Sequence, residues 1–144
     1  MSKYPSTQTI LTDADGTDIE GVAKTATYFS TWMSGSDADY IGLVVSASAV
    51  SASDTLDITL EYTPNSGAST VSVHGYPGAA NSQTQAATAQ ITAAGDAVVE
   101  YWRNIVPTAG SLTSPAFRFK FTLAGASISI TLDEAKVILV ARTA

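Results

Sequence analysis

Few residues in this chain have the types and spacing that chemistry needs. Asp13-Ala14-Asp15-Gly16-Thr17-Asp18-Ile19-Glu20 is the most acidic stretch, and its alternating oxygens invite comparison with a calcium loop. A helix-loop-helix calcium site places glycine sixth and a bidentate glutamate twelfth. Here Gly16 is fourth from Asp13 and no amphipathic helix flanks it. The expectation is a solvated turn in which Asp and Gly serve the backbone, with a looser calcium site on a β-loop as the alternative, and no metal is assigned.

Acid–base and nucleophilic chemistry fare no better. The single imidazole, His74, sits in a short segment beside Gly75, and no Gly-x-Ser-x-Gly elbow accompanies it. Asp37 with Asp39, Asp57 with Glu61, and Asp133 with Glu134 fall in turns or on wet strand faces, so a glycosidase pair would have to be assembled across the fold. Neither a Walker loop nor a dinucleotide fingerprint is present. The chain is expected to be no enzyme and to carry no cofactor.

Side chains suited to adhesion stand out more. Arg118 and Lys120, sharing one strand face with Arg103 as a companion, suit an acidic partner surface or else a solvated outer face. Trp32, Tyr76 and Trp102 suit a sugar-stacking platform, as in β-sandwich carbohydrate modules, or packing in a core or interface. Lys3, Tyr4 and Pro5 belong to a polar stretch, residues 1–6, read as an arm that frays or lies along a neighbouring subunit.

The elements that must position these residues are strands. Leu56, Ile58, Leu60 and Tyr62 alternate with Asp57, Thr59 and Glu61, which gives a strand with one dry face and one wet one. Phe117, Phe119, Phe121 and Leu123 alternate just as cleanly with Arg118, Lys120 and Thr122, and that wall is expected to face the first across a gap of about 10 Å between two sheets. Thr25 to Met33 alternates with an aromatic on each side. Tyr40 to Val45 is nearly continuous apolar sequence, the pattern of a strand covered on both faces. Shorter strands are expected over Thr7–Thr12, Thr70–Val73 and Ala89–Thr92, and a longer one over Ala97–Ile105 with Val99, Tyr101 and Arg103 on one side. Ser127–Leu132 and Lys136–Ala141 complete the set, divided by a turn at Asp133-Glu134. Ala79 to Thr88 permits either a helix or a polar loop.

Turn signals every ten residues or so between about eight to ten short strands predict an all-β antiparallel β-sandwich. Eight strands suit a jelly-roll-like order and leave an immunoglobulin-like order open. Residues 7–144 then form a single domain behind the arm. Net charge of −6 disfavours nucleic acid and anionic membrane surfaces as partners. The absence of cysteine excludes disulfides and thiolate metal sites. A polar start without a Sec-type leader, and no apolar run near the roughly 20 residues of a membrane span, predict a product that stays soluble where it is made and leaves the cell only by assembly or lysis.

Leu56-Asp57-Ile58-Thr59-Leu60-Glu61-Tyr62-Thr63-Pro64-Asn65, followed by Tyr101-Trp102-Arg103 and by Ser114-Pro115-Ala116-Phe117-Arg118-Phe119, resembles small β-sandwich structural proteins of tailed-phage virions. The likeness covers residues 54 to 123. One departure is Ser69-Thr70-Val71, where such proteins often carry tryptophan after the turn. The resemblance implies a capsid decoration, or cement, protein: made in the host cytoplasm, seated on the surface of the virion, bound to the major capsid protein, and commonly a homotrimer. The alternatives are a phage tail or baseplate β-module and a carbohydrate-binding module. The interface residues expected are Lys3, Tyr4, Pro5, Trp32, Tyr76, Trp102, Arg118 and Lys120.

Overall fold

Alternation dictates the central strand, since Leu56, Ile58 and Leu60 are sealed from solvent while Asp57 and Thr59 between them are not. In the computed structural model, which describes residues 6–34, 38–63, 71–73, 89–103 and 116–141, this stretch is β5 (Thr55–Thr63). Around it lie β1 (Ser6–Ile10), β2 (Ala23–Lys24), β3 (Tyr28–Phe29), β4 (Ala38–Val50), β6 (Val71–Val73), β7 (Ala89–Ile91), β8 (Ala97–Arg103), β9 (Ala116–Ala124) and β10 (Ile130–Ala141). One sheet runs β1-β10-β4-β8, with β2 also on β10; the other runs β3-β9-β5-β6, with β7 also on β5. All of these pairings are antiparallel, so the chain is an all-β antiparallel sandwich, as its patterning predicts.

The core lies between the sheets. Ile41, Leu43 and Val45 of β4 with Leu132, Ala135 and Val137 of β10 form one wall; Leu56, Ile58 and Leu60 of β5 with Phe117, Phe119 and Phe121 of β9 form the other. Each of these Val, Leu, Ile and Phe side chains, fully buried, contributes about 1.5–3 kcal/mol, and Ala135 less. The phenylalanine wall therefore does not face β5, contrary to expectation. β9 is its neighbour in the same sheet, with Leu60 opposite Phe119 and Ile58 opposite Phe121. Period-two alternation states which face of a strand is dry and is silent on which sheet the strand joins.

Two irregularities correct the expected strand boundaries. The turn predicted at Asp133-Glu134 is a bulge inside one long strand: Leu132 pairs with Ala47 and Glu134 with Ser46, so Asp133 is the extra residue, and its carboxylate accepts a 2.7 Å hydrogen bond from the Ser46 hydroxyl. β4 likewise runs on to Val50 through small residues, past the apolar run Tyr40–Val45 that marks it in the sequence. The second irregularity divides the Thr25–Met33 segment. The Ser30 amide donates to the Phe119 carbonyl and the Met33 amide to the Phe117 carbonyl, so three steps along one chain match two along its neighbour. The Ser30 hydroxyl meanwhile accepts from the buried Phe119 amide at 2.9 Å.

Two further expectations fail. Glu61, assigned to a wet face, is buried beneath Arg118. The apolar run from Tyr40 is fully sealed on one side only among the described residues: Ile41, Leu43 and Val45 are buried, whereas on the other side Tyr40 is exposed, Val44 is half-buried and Gly42 is covered by the Tyr101 ring. At the N-terminal end, Ser6, placed in the arm, already pairs with Val140.

Candidate functional site

Two outer faces of the sandwich carry side chains that a partner could read. The first is the solvent side of β9 and β5. Arg118 and Glu61 are direct cross-strand partners, and the guanidinium donates from Nε to the Glu61 carboxylate at 2.8 Å. The same guanidinium lies 3.9 Å from the Phe29 ring centroid and 4.2 Å from that of Trp32. Lys120, opposite both Phe29 and Thr59, holds its ammonium 5.9 Å from the Phe29 ring. Both aromatic rings reach one face because of the extra residue between Ser30 and Met33. Strict alternation would put positions 29 and 32 on opposite sides, and the bulge reverses that parity.

Behind this cluster the acidic loop is closed on itself. Asp13 is buried, accepts backbone amides from Asp15 and Thr17 at 3.0 Å each, and pairs with the Lys24 ammonium at 2.9 Å. The Lys24 hydrogen bond, then the Thr17 amide, hold its carboxyl below the ordinary carboxylate range. Its oxygens are thus committed to protein donors, so Asp13 serves the loop backbone as expected but from a buried position rather than a solvated one. Lys24 also lies 4.9 Å from the Tyr28 ring, which stacks on Phe121 at 4.6 Å. Burial, with the Asp13 charge adding to it, pushes the Tyr28 hydroxyl well above its ordinary range. Among the described residues no group of three or more His, Cys, Asp or Glu side chains is placed to hold a metal ion.

The second face is the outside of the β1-β10-β4-β8 sheet. The ladder puts Tyr40, Gly42 and Val44 of β4 beside Tyr101 and Val99 of β8 and beside Val140, Ile138 and Lys136 of β10, with Ile10 of β1 next to Lys136. Tyr40, Tyr101, Val99 and Ile10 are exposed at 41%, 43%, 59% and 46%, and Val44, Ile138 and Val140 are half-buried. Below them polar groups take over, with Glu134 and Ser46 in the next row and Lys136 3.9 Å from Glu134.

Of the expected interface residues, Trp32, Arg118 and Lys120 come together in the first cluster. Lys3, Tyr4, Pro5 and Tyr76, like His74, lie outside the described residues. Trp102 stands opposite Ile41 in the β4–β8 ladder, and its side chain lies outside those described. Sequence reasoning missed Phe29 and Glu61 in the cluster and the whole apolar face. The signal for that face is present in the unbroken apolar runs Tyr40–Val45, expected to be covered on both faces, and Val137–Val140, expected only as part of a last strand. Compared with known proteins, the chain matches no family model, and no curated protein or solved structure shows significant similarity to it.

Proposed function

We propose that this chain is a non-enzymatic virion structural protein of the decoration, or cement, type, which binds the major capsid protein lattice of a tailed-phage head and stabilises it. The observation that carries this reading is the apolar outer face bearing Tyr40, Val44, Val99, Tyr101, Ile138 and Val140. Spanning three strands by about five residues, it measures on the order of 250 Å². That approaches the scale of the largest apolar patch on an ordinary monomer, which is often functional. It is well under the roughly 800 Å² per partner of a stand-alone complex, so one contact is modest and repetition supplies the rest. An oligomer, a trimer in the decoration reading, attaching to a lattice of identical sites adds avidity without any new chemistry.

The strand order supports the jelly-roll form of this reading. With β6 and β7, both lying along the same edge of β5, counted as one position, the sheets order as first, eighth, third, sixth and second, seventh, fourth, fifth. Two interleaved Greek keys would give that order, with β2 set aside as a short pair on β10 of the other sheet. The carbohydrate-binding alternative finds less support. The Arg118 guanidinium lies against the Trp32 ring, so that ring is already partly occupied where a sugar would stack.

The test is addition of the protein to purified heads. Cosedimentation and a shift of head disruption to higher temperature are expected, both lost in Val99→Asp and Tyr101→Asp. A protein absent from purified particles, or located on the tail by labelling, would reject the reading. A glycan array responsive in the native chain and silent in Trp32→Ala would favour the carbohydrate module instead.

A further inference from the structure

We propose that Arg118 is a receptor for a single carboxylate presented by an acidic protein partner. The geometry is that of a guanidinium fixed before any ligand arrives. Glu61 takes its Nε, and the rings of Phe29 and Trp32 lie within 4.2 Å of its central carbon. Ordering a long, rotamer-rich side chain is one of the costs of recruiting an arginine, and here the fold has already met it. Among the described residues no hydrogen bond is made by Nη1 or Nη2. Neither is sealed from solvent, for among the described residues the one buried side-chain polar atom without a partner is an oxygen of Asp54. Two parallel N–H donors therefore remain at the edge of a planar, immobilised group, the arrangement that matches the two oxygens of a carboxylate.

Charge selects the ligand class. Lys120 lies on the same face with no carboxylate in ion-pair range among the described residues. Arg118 and Lys120 against Glu61 leave one net positive charge in the cluster. The Gln90 amide that hydrogen-bonds the Asp57 carboxylate at 2.7 Å is neutral and leaves its charge in place, but Asp57 stands apart from the cluster, four residues along β5 from Glu61 or about 13 Å. A monoanion is balanced there, whereas a dianionic phosphate or a polyanion would meet Glu61 and the −6 charge of the chain as a whole. The site is on the opposite sheet from the apolar face, so it stands independently of head binding.

The experiment is an NMR titration of the full chain, following the Arg118 Nε–H and Trp32 indole N–H signals. The probes are acetate, an N-acetylated and C-amidated Gly-Glu-Gly peptide carrying one carboxylate, inorganic phosphate, and sodium chloride at matched ionic strength. Saturable shifts of both signals by acetate and more tightly by the peptide are expected. Arg118→Lys, which keeps the charge and discards the fork, should weaken peptide binding by about tenfold or more. Lys120→Gln, at a half-buried position away from the ion pair, should weaken it a few-fold and keep the fold intact. Shifts no larger than those from chloride would overturn the proposal, as would unchanged affinity in folded Arg118→Lys. Tighter binding of phosphate than of the peptide would also overturn it, replacing the acidic protein by a phosphorylated or nucleic-acid ligand.

Discussion

The Tyr101 ring on β8 lies over the bare Cα of Gly42 on β4, so closely that a Cβ at Gly42 would stand 2.5 Å from its Cε1. The two are direct cross-strand partners at the centre of the apolar face. Here an aromatic ring covers backbone that glycine would otherwise leave open to water, and glycine in turn gives the ring a seat. Gly42→Ala removes that seat. Tyr101 is exposed enough to swing away, so the change in stability should stay within about 1 kcal/mol. Head binding should nevertheless fall several-fold, because the face loses its relief. Urea denaturation and cosedimentation together check this, and full binding by the folded variant would dissociate the Tyr101 seat from adhesion.

A second glycine is held by a different constraint. Gly125 has φ of +154° and lies against the carboxylate of Asp54, with the Asp54 Cα only 3.2 Å from where a Cβ would be. Asp54 is buried and fixed, accepting the Ser129 amide at 2.9 Å while its own amide donates to the Ser51 carbonyl at 3.0 Å. Gly125→Ala should cost about 2–4 kcal/mol, from backbone strain plus overpacking against a group that cannot retreat. Gly16→Ala is the control, since φ there is +86° but nothing lies within 4 Å; it should cost about 1 kcal/mol. Equal costs for the two would mean that Asp54 gives way.

How far the sequence reveals this fold depends on what each pattern encodes. Alternation at Leu56, Ile58 and Leu60 and at Phe117, Phe119 and Phe121 identifies the buried side chains, because burial of a strand face is a local property. That the two strands share a sheet is a long-range pairing, to which a period of two is blind. The bulge at Asp133 and the extra residue after Ser30 are equally invisible, since each depends on a partner strand about a hundred residues away or nearly so. The second of these assembles the Arg118 cluster. Trp32 and Arg118 can be singled out by type, but their meeting, and the role of Phe29, cannot.

That bulge has its own test. The Ser30 hydroxyl accepts the Phe119 amide at 2.9 Å and donates to the Thr31 carbonyl at 3.1 Å, and Ser30 is buried. Ser30→Ala takes away the acceptor of a buried backbone donor, at a cost of about 1–3 kcal/mol. Since the bulge aims Trp32 at Arg118, the variant should also shift Trp32 emission and weaken the response of the Arg118 Nε–H signal to acetate. Ser30→Thr, which retains the hydroxyl, should restore much of both. Loss of stability with an unaltered Trp32 environment would separate the hydrogen bond from the positioning of the ring.

The Asp13–Lys24 pair predicts how the fold responds to acid. Folding holds the Asp13 carboxyl below its ordinary value of 3.8, chiefly through Lys24 and then through the Thr17 amide. A group whose folded value is depressed binds its proton more readily when unfolded, so its contribution is complete above the unfolded value and is lost as pH falls through the lower, folded one. Asp13→Asn keeps the shape and discards the charge. At pH 6 it should be less stable than the native chain by about 1–3 kcal/mol, because the ammonium and the backbone amides lose an ionised acceptor. The gap should hold down to about pH 4 and narrow steadily below that, as the native carboxylate is itself protonated. Urea titrations of both proteins at pH 6, 4 and 3 measure it. A gap that persists unchanged at pH 3 would place the effect in the shape of the loop, leaving the Asp13 charge without a part in it.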